Sequence, residues 1–135
     1  MEKEKLKAVN TTALAYMGDA VYEQAVREHI LNRGSYHVKN LHNTAVRYVK
    51  AQSQAHVIRD MFDELTEEEQ SLVKRARNRK YATKAKNADP VTYKWATAFE
   101  AYIGYLYLAG DEKRLAWALE RALNITDKAN KQQGD

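Results

Sequence analysis

Two acidic residues stand in stretches that otherwise carry no charge. In LAYMGDAVYE (residues 14–23) every position from Ala13 to Tyr22 is apolar or aromatic except Gly18 and Asp19. In WATAFEAYIGYLYLA (95–109) only Thr97, Glu100 and Gly104 break the apolar and aromatic run. An ionised carboxylate withdrawn from water is costly unless something compensates it. Each acid also has a glycine within one helical turn. Glycine lets two backbones approach closely, so Gly18 and Gly104 could bring Asp19 and Glu100 together.

Three chemistries suit such a pair. Each carboxylate could be satisfied by a nearby Arg or Lys, or by hydroxyls from the nine tyrosines. The two could share a proton and act as acid and base on a small substrate. They could also hold a hard divalent cation, since magnesium favours one or two carboxylates with water and phosphate oxygens completing its shell. Few other residues compete for a catalytic role. His29, His37, His42 and His56 form no metal-ligand pair at helical spacing, and no glycine-rich phosphate loop or serine–histidine–acid pattern is present. Glu23 follows Asp19 by one turn and could join a cation site, or pair with Arg27 four residues on.

The elements that must position these residues read as five helices and no strands. The first is capped by Asn10, Thr11 or Thr12 and runs to about Leu31. The second spans roughly 38–62, with Leu41, Ala45, Tyr48, Ala55, Ile58 and Phe62 on one face. Thr66–Glu69 is a capping box that opens the third, to about Lys80. Residues 81–89 read as a basic loop. Asp89-Pro90 caps the fourth helix, which ends before Gly110, and the fifth covers about 112–124, with Leu115, Leu119, Ala122 and Leu123 together. Fifteen residues with a central Glu are too short and too polar to span a bilayer.

Composition agrees. The chain has 135 residues, 44% hydrophobic and 30% charged, which suits one domain with one core. One proline and five glycines disfavour sandwiches and barrels. The absence of cysteine excludes disulfides and thiolate chemistry. MEKEKLKAVN lacks the apolar core of a secretory signal, so a cytoplasmic location is expected. The net charge is +4. No acid interrupts KRARNRKYATKAK (74–86), a run that suits a polyanion, although basic runs are more often solvated faces.

LAYMGDAVYE resembles the signature helix of the ribonuclease III endonuclease domain, and TAFEAYIGYLYL (Thr97–Leu108) resembles its second acidic motif. KNLHNTAVRYVKAQSQA (Lys39–Ala55) and RARN (Arg75–Asn78) extend the likeness to the Mini-ribonuclease III group, in order, over nearly the whole chain. The resemblance implies an all-α, homodimeric nuclease domain over 1–135, with 1–9 and 126–135 as flexible ends and no appended double-stranded-RNA-binding domain. It implies hydrolysis of double-stranded RNA with Mg²⁺ (Mn²⁺ as a substitute), leaving 5′-phosphate and 3′-hydroxyl ends, in maturation of 23S ribosomal RNA. Asp19 and Glu100 match the metal-binding catalytic acids. Two further family acids are replaced here, by Ala15 and Thr97. Arg75, Arg77, Arg79, Lys80, Lys84 and Lys86 are the expected RNA contacts. A second copy of the chain, a precursor RNA stem and a ribosomal protein are the expected partners, and no membrane is. The alternative is a non-catalytic helical protein that binds RNA or the ribosome.

Overall fold

The computed structural model describes residues 1–34, 37–79 and 89–132. The fold is all-α: α1 (Lys3–Lys7), α2 (Thr11–Asn32), α3 (Val38–Val49), α4 (Ala51–Met61), α5 (Glu67–Asn78), α6 (Pro90–Ala109) and α7 (Glu112–Gln132), with a 3-10 turn at Phe62–Glu64. No strand occurs among the described residues.

Helix ends follow their capping residues. The Asn10 side chain accepts from the Ala13 N–H at the start of α2. Thr66 and Glu69 form the full reciprocal capping box at α5. The Asp89 carboxylate accepts from the Thr92 N–H, with Pro90 at the first helical position. Gly110, at φ +75°, stops α6 in the left-handed conformation that glycine adopts without strain.

The helix expected over 38–62 is two helices. Lys50 is extended (φ −63°, ψ 151°) with no proline or glycine beside it. The Ser53 hydroxyl donates back to the Arg47 carbonyl across this corner. The cause is tertiary: α3 packs mainly on α2, whereas α4 turns to lie along α6. Helical structure also extends past the expected ends. A short α1 buries Leu6, and α7 continues through 126–132 with Ile125 and Thr126 buried.

At the centre lies α6, against α2, α4 and α5. Its Ala98, Phe99, Ala101, Tyr102 and Ile103 are fully buried, which is why the stretch is apolar on nearly every side. Tyr22 of α2 meets Phe99 edge to face, with ring centroids 4.8 Å apart. By contrast, α2 leaves Ala13, Tyr16, Asp19 and Ala20 exposed, Tyr16 at 82%. No described helix is long and apolar enough to cross a membrane.

Candidate active site

Two glycines make the site. A Cβ added to Gly18 would sit 1.7 Å from the Glu100 carbonyl oxygen, and one added to Gly104 would sit 1.9 Å from the Leu14 carbonyl oxygen. The helices α2 and α6 therefore cross backbone to backbone, as the sequence suggested, and no larger residue fits at either position. The crossing places the residue after Gly18 beside the residue one turn before Gly104. These are Asp19 and Glu100.

The two carboxyl groups interact directly. Burial raises the Glu100 pKa first, and the charge of Asp19 and a hydrogen bond with it raise it further, to about 8. The buried Gln54 of α4 also hydrogen-bonds Glu100 and acts the other way, by stabilising the ionised form. Asp19 itself is exposed, although its apolar flanks suggested burial; Glu100 is half-buried. The pair thus opens to solvent on the α2 side and is closed by Gln54 on the α4 side. Among the described residues no Arg, Lys or His forms an ion pair with either acid. Without a cation, at most one of the two carboxyls is comfortably ionised.

The positions where the ribonuclease III resemblance places further acids contribute none. Ala15 is buried, and the buried Thr97 donates its hydroxyl to the Tyr93 carbonyl on its own helix. No cluster of three or more His, Asp or Glu side chains suited to a metal occurs among the described residues. Glu23 pairs with Arg27 at 3.3 Å, the ordinary i,i+4 contact. Gln54 had no marker in the sequence, because a glutamine in AQSQA looks like any solvated polar residue. The break at Lys50 is what turns it inward.

Of the basic residues, Arg75, Arg77 and Arg79 lie in the last turn and cap of α5; Lys80, Lys84 and Lys86 fall outside the described residues. The three arginines do not form one stripe. Arg75 and Arg79, four apart, line a cleft of about 550 Å³ with Lys3, Lys7 and Tyr105. Arg77, two residues from each, faces the other way and lies over the Trp95 ring of α6.

The Ribonuclease III domain family matches residues 12–111. A protein named Mini-ribonuclease 3 from Brevibacillus brevis is 45% identical over 131 residues, covering 94% of this chain and 98% of that one. Another of the same name, from Symbiobacterium thermophilum, is 47% identical over 115 residues, 85% of this chain and 88% of that one. A crystal structure of a protein from Fusobacterium nucleatum superposes with a TM-score of 0.77 at 31% identity, over 90% of this chain and 93% of that one. Its motifs, its fold and these relatives agree that the chain belongs to the ribonuclease III family and is an endoribonuclease.

Proposed function

We propose that the protein cleaves double-stranded RNA with Mg²⁺ held by Asp19 and Glu100, in the maturation of 23S ribosomal RNA. The observation that carries this is the carboxylate pair at the Gly18–Gly104 crossing, which no Arg, Lys or His among the described residues balances. The donors fit a hard cation: two carboxylates open to solvent leave positions for water and phosphate oxygens, as magnesium prefers. A cation there also removes the repulsion that keeps Glu100 protonated. The chemistry a bound Mg²⁺ supplies is a water made nucleophilic and charge relief on the phosphodiester.

The chain's own residues do the rest. Ionised Asp19 and Glu100 supply the negative charge that selects and places the cation. The Gln54 amide donates to Glu100 and holds its carboxyl in one orientation while the proton leaves. The rigid helix crossing keeps both acids in register. The arginines of α5 supply positive charge for the backbone of the duplex, whose A-form is recognised chiefly through shape, 2′-hydroxyls and phosphates.

A homodimer belongs to the same proposal. Tyr16, with Ala13 and Ala20, forms an exposed apolar strip on the helix that bears Asp19. Pairing two copies there would cover this strip and give one site per RNA strand. Sedimentation should show a dimer at micromolar concentration, and an active stable monomer would overturn this part.

The test of the activity is cleavage of perfect duplex RNA with Mg²⁺, with EDTA as control. Asp19→Asn should lower the rate by about 10³-fold or more, because the amide keeps the shape and loses the charge that holds the cation. Near-normal cleavage by Asp19→Asn would remove Asp19 from the site. Duplex binding by a wild type that never cleaves would instead favour the non-catalytic RNA-binding alternative.

A further inference from the structure

A second group of residues, away from the carboxylates, has its own unbalanced charge. The indole of Trp95 carries two guanidinium groups: Arg59 of α4 at 5.4 Å and Arg77 of α5 at 4.9 Å from the ring centroid. Phe62 meets the same indole edge to face, with centroids 6.4 Å apart, and the Lys74 ammonium lies 5.7 Å from the Phe62 ring. Three cations from two helices are thus arrayed on two packed aromatic rings. Among the described residues none of Arg59, Lys74 or Arg77 has an ion-pair partner. Asp60 lines the adjoining cleft with His56, Arg59 and Thr92, and its charge also acts on Arg121.

Cation–π contacts stabilise each cation modestly, but cations sharing one aromatic platform repel each other. Such a patch holds charge in place without neutralising it. Structural arginines in this protein look different. Arg114 and Arg121 each close on a carboxylate, Glu69 and Glu64, at 2.7 and 2.9 Å. The platform stands on another side of α6 from the carboxylate pair, because five residues turn a helix through about 140°. Trp95 precedes Glu100 by five residues on α6, about 7–8 Å along the axis, and Arg59 follows Gln54 by five on α4.

We infer that Arg59 and Arg77, fixed on Trp95 with Lys74 alongside, form a pre-organised clamp for the phosphates of an RNA strand, separate from the carboxylate site. This rests on the proposed action on duplex RNA and adds Arg59 and Lys74 as contacts and Trp95 as the positioning residue. The ring contact restrains each guanidinium before RNA arrives, so less side-chain freedom is lost on binding. Anchoring of the duplex there would help set the register in which the scissile phosphodiester meets Asp19 and Glu100.

The experiment uses the full chain and a short perfect RNA duplex. Binding is measured across a salt series in the Asp19→Asn background, and cleavage kinetics in the otherwise native protein. Arg59→Ala should weaken binding roughly tenfold at moderate salt, the range of a lost charge-assisted hydrogen bond. It should also flatten the slope of log affinity against log salt by about 0.7–0.9, one phosphate contact. The cleavage defect should appear in KM more than in kcat. Trp95→Leu, which keeps apolar bulk without the ring, should weaken binding while leaving the salt slope unchanged, because both charges remain but are no longer held. Trp95→Phe should restore most of the affinity. Lys113→Ala, in the first turn of α7 beyond the far end of α6, is the charge-matched control and should change neither quantity. A wild type that cleaves duplex RNA while Arg59→Ala and Trp95→Leu bind it with unaltered affinity and slope overturns the clamp alone. A wild type that neither binds nor cleaves the duplex overturns the proposed function, and the clamp with it.

Discussion

Glu69, packed from α5 against the central helix, and Glu100, on that helix, are both carboxylates out of full solvent, and the chain treats them oppositely. Glu69 is 5% exposed and surrounded by donors. Arg114 reaches it at 2.7 and 2.9 Å, the Tyr102 hydroxyl at 2.9 Å and the Thr66 N–H at 2.9 Å. Burial pushes its pKa up, but Arg114, the Thr66 amide and Tyr102 more than offset this, so it is held below the ordinary carboxylate value. Glu100 faces a second carboxylate and one amide, and its pKa is raised. One acid has its counter-charge within the fold; the other has none among the described residues. A buried acid alone therefore says little about function. The informative property is whether the chain supplies its counter-charge.

The helix crossing supports only one of the two sites, so breaking it gives the largest effect. Gly18→Ala puts a methyl carbon 1.7 Å from a backbone oxygen, and no side-chain rotation relieves a clash with backbone. The helices must separate. We expect destabilisation of about 4–5 kcal/mol or more, a large part of a typical domain's stability. Any folded fraction should have lost cleavage, since Asp19 and Glu100 move apart. Thermal melts and cleavage by the purified variant test this, and a normal melt would mean that the two backbones have room for a methyl group after all.

Glu69→Gln should come next. It leaves the half-buried Arg114 guanidinium, which also lies over the Trp117 ring, without the carboxylate it closes on, a loss of about 1–3 kcal/mol. The melting temperature should fall, and cleavage by the folded protein should keep its Mg²⁺ dependence, since Glu69 belongs to the packing of α5 on α6. A changed half-saturating Mg²⁺ would show that the two acids are not separate systems.

How much of this contrast could be read from the sequence depends on the range of the forces involved. Caps are local, so Asn10, Thr66–Glu69 and Asp89-Pro90 marked their helix starts without tertiary information. The Gly18–Gly104 crossing was also legible, because glycine weakens a helix interior and is kept beside a lone acid only where a second backbone must come close. The corner at Lys50 was not, since no breaker residue stands there and only the separate docking of α3 and α4 causes it. Gln54 was hidden for the same reason. The Trp95 platform gathers residues 59, 77 and 95 from three helices, and no periodicity within one element signals such a meeting. Nor did the apolar character of α2 predict burial: its Tyr16 side faces solvent in the single chain.

The smallest expected effect is a pH dependence that separates the two acids by sign. Glu100 has its pKa raised from 4.5 to about 8 in the folded protein. Between those values the folded state keeps a proton that the unfolded chain has released, so this group makes the fold less stable as pH rises through the window. Glu69 is lowered, so its contribution is present at neutral pH and is lost as pH falls below the ordinary carboxylate range. In Mg²⁺-free buffer near pH 8, Glu100→Gln should therefore melt higher than the wild type by about 3–6 °C, while near pH 5 the two should nearly coincide. Asp19→Asn should behave similarly, because it removes the charge that opposes ionisation of Glu100. Added Mg²⁺ should stabilise the wild type near pH 8 and neither variant, since the proposed site needs both carboxylates. Equal melting of wild type and Glu100→Gln across the whole range, with and without Mg²⁺, would place the missing counter-charge within the chain and make Glu100 a second Glu69.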